Sequence, residues 1–206
     1  MSRPTRYLLA AVFVAAALGS WLALRDDAST GRGAVATAST AVTRSPAAPR
    51  PGTPVTFAYL AGQHSNRCDL QAAEIMRYPA TMRMQGSCCS AMDAATYRRQ
   101  LQGLRPYAQI PEIPANPYDI PAPLAQRLLS YRDIRISANA QTVYDRAMGM
   151  THEHGPCCCR CWRWEAFEGM SRYLIARRQW RAPQLARLID AVDGCGGAAP
   201  ASGQPS

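Results

Sequence analysis

The sequence predicts a mainly α-helical protein. We expect one small irregular domain of five or six helices over residues 55–197, preceded by an N-terminal transmembrane or signal helix and a disordered linker. Three observations support this fold class: a long apolar run near the start, a low-complexity segment after it, and apolar residues that later recur at helical rather than alternating spacing. A length of 206 residues suits one modest domain with appendages.

The N-terminal region, residues 1–27, has the pattern of an export segment. Two arginines precede an apolar run over residues 7–24, and the charged sequence Arg-Asp-Asp follows it. Because a helix of about 20 residues crosses a bilayer, we expect an uncleaved anchor in the cell membrane, with the rest of the chain outside the cytoplasm. The small residues at 17 and 19 leave open a cleaved signal peptide and a secreted protein.

Two segments are too poor in large apolar side chains to fold. Residues 28–54 and 198–206 consist almost wholly of small residues, proline, threonine and scattered arginines. Such segments bury too little apolar surface to offset the entropy lost on ordering. We therefore expect a disordered linker over residues 28–54 and a disordered tail over residues 198–206.

Capping signals predict the first helices of the domain. Asp69 can cap a short helix that runs to Met76. Ser90, with Asp93 three residues later, forms a capping box for a helix that runs to about Leu104. Six prolines between residues 106 and 123 then exclude regular structure, so that stretch should lie extended over the surface.

Apolar spacing predicts the later helices. Leucines at 124, 128 and 129 indicate a helix entered through Pro123. Ser137 can cap another helix, which should end near Gly149. Apolar residues at helical spacing over 162–174 predict the central core helix, and those over 185–192 predict a last helix.

The net charge of +9 says little about partners. All 23 basic residues are arginines, and they are spread along the chain. A nucleic-acid-binding surface would need a clustered basic face with aromatic platforms for stacking. We therefore expect no nucleic-acid partner.

The most specific feature of the chain is its sulfur. Two histidines, His152 and His154, lie just upstream of the largest cysteine group. A thiol density of this kind is typical of metal capture, disulfide bonding or thiol redox chemistry. The eight cysteines are Cys68, Cys88, Cys89, Cys157, Cys158, Cys159, Cys161 and Cys195.

Two local geometries favour a metal site near residue 160. In an extended segment, Cys157, Cys159 and Cys161 point to one side about 7 Å apart, and folding back brings three thiolates to one ion. In a helix that starts near Pro156, the helix N-terminus lowers the thiol pKa values instead. The predicted ligands are Cys157, Cys158, Cys159, Cys161, His152, His154, Cys88 and Cys89, with Cys68 and Cys195 as additional ligands or disulfide partners.

A Met-x-Met pair precedes each of the two multi-cysteine groups. Met82 and Met84 precede Cys88, while Met148 and Met150 precede the larger group. Thioether and thiolate ligands together select soft ions, which predicts copper(I) first and zinc second. Methionine at helical spacing is also ordinary core filler, so both interpretations of these residues stay open.

Two other functions stay open. An exported chain with an even cysteine count usually carries disulfides, which predicts a stapled domain whose partner is another envelope protein. A thiol oxidoreductase would use a cysteine nucleophile with His152 or His154 as its base. The chain has no isolated C-x-x-C in a βαβ setting, no G-x-S-x-G and no Walker loop, so we expect a binding protein rather than an enzyme.

Two resemblances agree with export. The sequence Pro-Cys-Cys-Cys-Arg-Cys at 156–161 resembles the P-C-Y-C-G-C signature of a family of exported bacterial proteins named for that motif, with Cys158 in place of tyrosine and Arg160 in place of glycine. Residues 85–89, 161–164 and 194–197 resemble segments of a group of exported actinobacterial proteins of unknown function. The resemblances imply an extracytoplasmic domain whose function depends on its cysteines, and they imply no activity or substrate.

Overall fold

The computed structural model describes residues 46–196, and this part of the chain is mainly helical. The fold class is therefore confirmed for these residues. The predicted helix near the N-terminus, most of the linker and the tail lie outside them. The elements are α1 (Pro54–Ala61), α2 (Ala72–Ile75), β1 (Arg83–Gln85), α3 (Ala94–Leu104), β2 (Asp119–Pro121), α4 (Ala122–Ser130), α5 (Ala138–Met148), α6 (Trp162–Arg178) and α7 (Ala182–Val192), with 3₁₀ turns at Arg105–Tyr107 and Tyr131–Asp133.

Six of these helices, α2 to α7, correspond to the predicted ones. The side chain of Ser137 caps α5 by accepting a hydrogen bond from the Ala140 amide at 3.3 Å, and Gly149 ends that helix. Helix α1 was not predicted, because it buries only one large apolar side chain. Its Thr-Pro start is a recognisable signal, since Thr53 caps the helix and proline occupies its first turn. No described helix has both the length and the apolar character needed to cross a bilayer.

The predicted caps of α2 and α3 were wrong. Asp93 rather than Ser90 caps α3, because its carboxylate accepts a hydrogen bond from the Thr96 amide at 2.7 Å. The Ser90 hydroxyl instead donates to the Cys195 carbonyl at 3.0 Å, a contact far away in sequence. Asp69 forms an ion pair with Arg67, and Gln71 is the N-cap of α2.

The proline-rich stretch contains a short strand, which the sequence analysis excluded. Strand β2 pairs antiparallel with β1, and Met84 lies opposite Ile120. Proline is tolerated at the end of β2 because the sheet has only two strands, so one edge of each strand needs no hydrogen-bond donor. Pro46 and Ala48, assigned above to the linker, bind this sheet: the Pro46 carbonyl accepts a hydrogen bond from Gln85 Nε2 at 2.7 Å, and the Ala48 amide donates to the Asp119 carboxylate at 3.1 Å.

Helix α6 is the centre of the hydrophobic core, as predicted. It contacts α2, α4, α5 and α7 and buries Trp162, Phe167 and Met170 completely. Cys88, Cys157, Cys161 and Cys195 belong to the same buried cluster as those side chains. The sulfur-rich region is thus built onto the core of the domain.

Close packing of α6 on α4 requires a glycine, which gives a test of this arrangement. A Cβ atom at Gly169 would collide with the Leu128 carbonyl of α4, so Gly169→Ala should lower the free energy of unfolding by roughly 1–3 kcal/mol. Gly149→Ala is the matched control, because its Cβ would meet only ordinary contacts. Urea denaturation measures both variants, and equal stabilities would contradict the packing described here.

Candidate metal centre

Four chain segments deliver the eight cysteines to one place. Cys68 lies between α1 and α2, the pair Cys88 and Cys89 follows β1, residues 157–161 precede α6, and Cys195 follows α7. The Cys88 amide donates to the Gly194 carbonyl at 3.1 Å, which holds the second segment against the fourth. Backbone hydrogen bonding therefore fixes where these sulfur atoms can lie.

A buried amide side chain links the first three segments. The Asn66 side chain donates to the Gly86 carbonyl at 3.0 Å and accepts from Trp162 Nε1 at 3.0 Å. The Trp162 amide in turn donates to the Leu70 carbonyl at 2.9 Å. These bonds hold the loop that carries Cys68 beside β1 and beside the start of α6.

The sulfur atoms lie at distances suited to metal binding. They form three groups in which all ligand atoms lie within 4.8 Å of one another. A tetrahedral ion with bonds of about 2.3 Å holds its sulfurs about 3.8 Å apart, and the Cys88–Cys195 and Cys157–Cys195 sulfur pairs are 3.8 and 3.5 Å apart. The groups are Cys68, Cys88, Cys89 and Cys159 (group A), Cys88, Cys157, Cys158 and Cys195 (group B), and Cys157, Cys159 and Cys161 (group C).

One pair of cysteines is at disulfide distance. The Cys68 and Cys89 sulfurs are bonded, and their Cα atoms are 5.8 Å apart, within the usual range for a disulfide. The other six cysteines are free thiols. The cluster is therefore compatible with metal binding, with disulfide stabilisation, or with both.

The segment at 157–161 adopts the folded-back geometry rather than the helical one. Helix α6 begins at Trp162, and Cys161 is its N-cap in an extended backbone conformation. The chain before it bends repeatedly, which brings Cys157, Cys159 and Cys161 together as group C. All eight cysteines named from the sequence take part in at least one group.

The histidines lie outside these groups. The His152 imidazole faces the Asp190 carboxylate at 3.3 Å and is largely exposed, and His154 is exposed as well. Met84 and Met148 are buried in the core beside the cysteines, whereas Met150 is exposed. Within residues 46–196 the three groups contain cysteine alone, and metal ligation by the histidines or by Met82, Met84, Met148 and Met150 stays a prediction.

Arg163, which the sequence analysis did not single out, lies fully buried next to the cluster. Its Nη1 donates to the Pro117 carbonyl at 2.9 Å and its Nη2 to the Val192 carbonyl at 2.8 Å, while Nε has no hydrogen-bond partner. No carboxylate in residues 46–196 forms an ion pair with it. Arg163 lies one turn before Phe167 on the buried face of α6, and this spacing is the sequence signal that could have predicted its burial.

The sulfur atoms and Arg163 influence each other's charge. Burial lowers the pKa of Arg163, but negative charge at the nearby Cys88, Cys157, Cys195 and Asp193 together raises it by more, so the guanidinium stays charged. Hydrogen bonds from Cys157 and Cys88 lower the pKa of the Cys195 thiol to about 7. A hydrogen bond from Cys161 is the main cause of a lowered pKa at Cys157.

The pKa values of three other thiols, Cys88, Cys158 and Cys159, shift in the opposite direction. Hydrogen bonding to Cys157, Cys161 and Cys195 raises the pKa of Cys88. Burial raises the pKa of Cys158 and of Cys159 to about 12. Neighbouring sulfur atoms cannot all ionise together without a cation, because each negative charge disfavours the next.

A cavity of about 450 Å³ reaches the cluster from the surface. Cys89, Cys157, Cys158 and Cys195 line it, and His152 lies on its wall. An ion can therefore reach group B without unfolding of the core.

Comparisons of this chain with protein-family models, with curated proteins and with solved structures give no match. The resemblances to exported cysteine-motif proteins stay predictions.

The lowered pKa of Cys195 predicts a pH dependence of stability for the reduced, metal-free protein. The native state loses this proton near pH 7, whereas the unfolded chain keeps it to about pH 9. Stability should therefore rise between pH 7 and pH 8 by roughly 1 kcal/mol, and the lowered pKa of Cys157 acts in the same direction. The raised pKa values of Cys88, Cys158 and Cys159 oppose this rise only as the pH approaches 9, where the unfolded thiols lose their protons. Urea denaturation with a thiol reductant and a chelator measures the rise, which Cys195→Ser should reduce. A flat or falling profile for the unsubstituted protein would contradict the charge assignment.

Proposed function

We propose that this protein captures a soft metal ion, copper(I) or zinc, through its cysteine cluster, and that it stores, delivers or sequesters the ion outside the cytoplasm. The observation that carries the proposal is the buried positive charge of Arg163 among the sulfur atoms. The apolar run over residues 7–24 supports a membrane tether. Another envelope protein is the expected recipient or donor of the ion.

A buried cation needs negative charge nearby. Transfer of an unpaired charge into a protein interior is strongly unfavourable. Besides the sulfur atoms, Arg163 has backbone carbonyls and aromatic rings as neighbours, and the charge of Asp193 acts on it without forming an ion pair. A fully oxidised cluster is neutral and would leave Asp193 as the remaining compensation. Thiolates supply the charge, and a zinc or copper(I) ion surrounded by three or four thiolates keeps a net negative charge.

The composition of the cluster favours soft metals. Thiolate ligands select copper(I) and zinc over magnesium or calcium, which prefer oxygen ligands. A bound cation also replaces the protons that Cys158 and Cys159 otherwise keep, since metal binding requires deprotonated ligands. A bound metal ion therefore offsets the repulsion between neighbouring thiolate charges.

A second candidate is a disulfide-stabilised interaction domain, which the bond between Cys68 and Cys89 favours. A third candidate, a thiol oxidoreductase, would need a thiolate beside this disulfide. The Cys158 sulfur lies 3.1 Å from that of Cys89, so a third sulfur is close enough to the bond. Thiol–disulfide exchange requires a thiolate, and the raised pKa of Cys158 keeps this sulfur protonated at neutral pH. An oxidoreductase is thus supported less well than either binding function.

Metal content measured together with a free-thiol count separates these functions. The protein purified without added oxidant should retain zinc or copper(I), and its thiols should react with an alkylating reagent only after a chelator removes the ion. Elemental analysis and mass spectrometry of the alkylated chain give both numbers. A protein with no bound metal, no uptake of added metal and no free thiols would eliminate the metal proposal in favour of the disulfide-stabilised domain.

Removal of the buried charge should weaken metal binding. Arg163→Met keeps an unbranched apolar side chain but takes away the cation that compensates the thiolates, so we expect affinity for zinc to fall roughly tenfold or more. Arg177→Met is the matched control, because this exposed arginine lies on the same helix and its loss changes the net charge equally. Competition with a chromophoric chelator measures affinity, and circular dichroism checks the fold. Equal zinc affinities for the two variants would contradict the role proposed for Arg163.

A further inference from the structure

We propose that the eight cysteines form one polynuclear metal site, with three ion positions joined by bridging thiolates at Cys88, Cys157 and Cys159. This inference rests on the proposed function and specifies how many ions the cluster takes and how they are held. It follows from which cysteines the three groups share.

Each pair of groups has one cysteine in common. Groups A and B share Cys88, groups B and C share Cys157, and groups A and C share Cys159. The three positions therefore close into a ring in which a bridging sulfur stands between every two ions. The other five cysteines each belong to a single group and are terminal ligands.

The number of sulfur atoms also requires sharing. Three separate tetrahedral ions would need about twelve ligands, whereas the chain has eight cysteines. With the three shared sulfurs counted in both of their groups, the positions have four, four and three ligands. A filled cluster is then possible without a ligand from outside the cysteine set.

Charge favours sulfur bridges in the interior. Two of the three bridging sulfurs, Cys157 and Cys88, are only 2% and 9% exposed. A thiolate shared by two ions brings less negative charge into the interior than two separate thiolates would. A smaller buried negative charge is favourable at this site, because Arg163 is the buried cation that compensates the thiolates.

The bond between Cys68 and Cys89 controls the third position. While this bond is present, group A keeps only Cys88 and Cys159, so the chain should hold two ions, in groups B and C. A phosphine reductant breaks the bond: the two sulfurs gain two electrons and two protons, and the phosphine leaves as its oxide with oxygen from water. The reduced chain should then hold three ions.

Two measurements on the full chain in mild detergent test the inference. Native mass spectrometry with added zinc should show two ions with the Cys68–Cys89 bond present and three after phosphine treatment. In a cobalt(II) titration, the paramagnetic resonance signal should first rise and then fall, because ions that share a thiolate couple antiferromagnetically.

The outcomes are distinguishable. A signal that rises in proportion to added cobalt up to saturation, or a capacity of one ion in the reduced chain, would overturn the polynuclear site and leave the proposed function standing. A reduced chain that binds no ion would overturn both.

A pair of variants tests the bridging role itself. In the reduced chain, Cys159→Ser removes a sulfur that two groups share and leaves group C with two cysteines, so the zinc capacity in native mass spectrometry should fall from three ions to two. Cys158→Ser removes a terminal ligand of group B, leaves at least three cysteines at every position and should keep the capacity at three ions. Both side chains are at least partly exposed, so neither change opens a core cavity, and circular dichroism verifies the fold. Identical behaviour of the two variants would contradict the assignment of bridges.

Discussion

The buried charge of Arg163 is the constraint on which the domain depends. Its guanidinium binds the carbonyls of Pro117 and Val192, so one side chain joins the proline-rich segment and the end of α7 to the start of α6. Gly194 leaves room for it, since a Cβ atom there would collide with the guanidinium. Because the same charge lies among sulfur atoms, the stability of the fold and the ionisation of the cluster are coupled.

The parts of the fold that were predictable are those governed by local sequence. Helices α5, α6 and α7 have caps or long apolar faces, and their predicted positions agree with the structure. Ser90 was misassigned because a hydrogen bond to the Cys195 carbonyl, far away in sequence, competes with capping. The pairing of β1 with β2 was missed for a related reason, since two strands of three residues leave almost no periodic signal.

The candidate site was predictable in its chemistry and less so in its geometry. Spacing alone indicated convergence of the cysteines at 157–161. No local sequence pattern shows that Cys68 and Cys195 join them, because backbone hydrogen bonds between distant segments bring these two residues to the cluster. The histidines looked like ligands because they are near in sequence, yet Asp190 holds His152 on the outer wall of the cavity. Arg163 was overlooked because an arginine in an amphipathic helix is ordinarily exposed.

The spread of the sulfur atoms along the chain has a consequence for biosynthesis. Group B needs Cys195, which lies more than a hundred residues after Cys88, and the backbone contacts of Cys88 and Ser90 with residues 194 and 195 hold this part of the cluster together. A ribosome must therefore translate nearly all of the described sequence before the pocket exists. If group B binds the proposed ion, it can do so only once this last segment of the described chain has been made and folded.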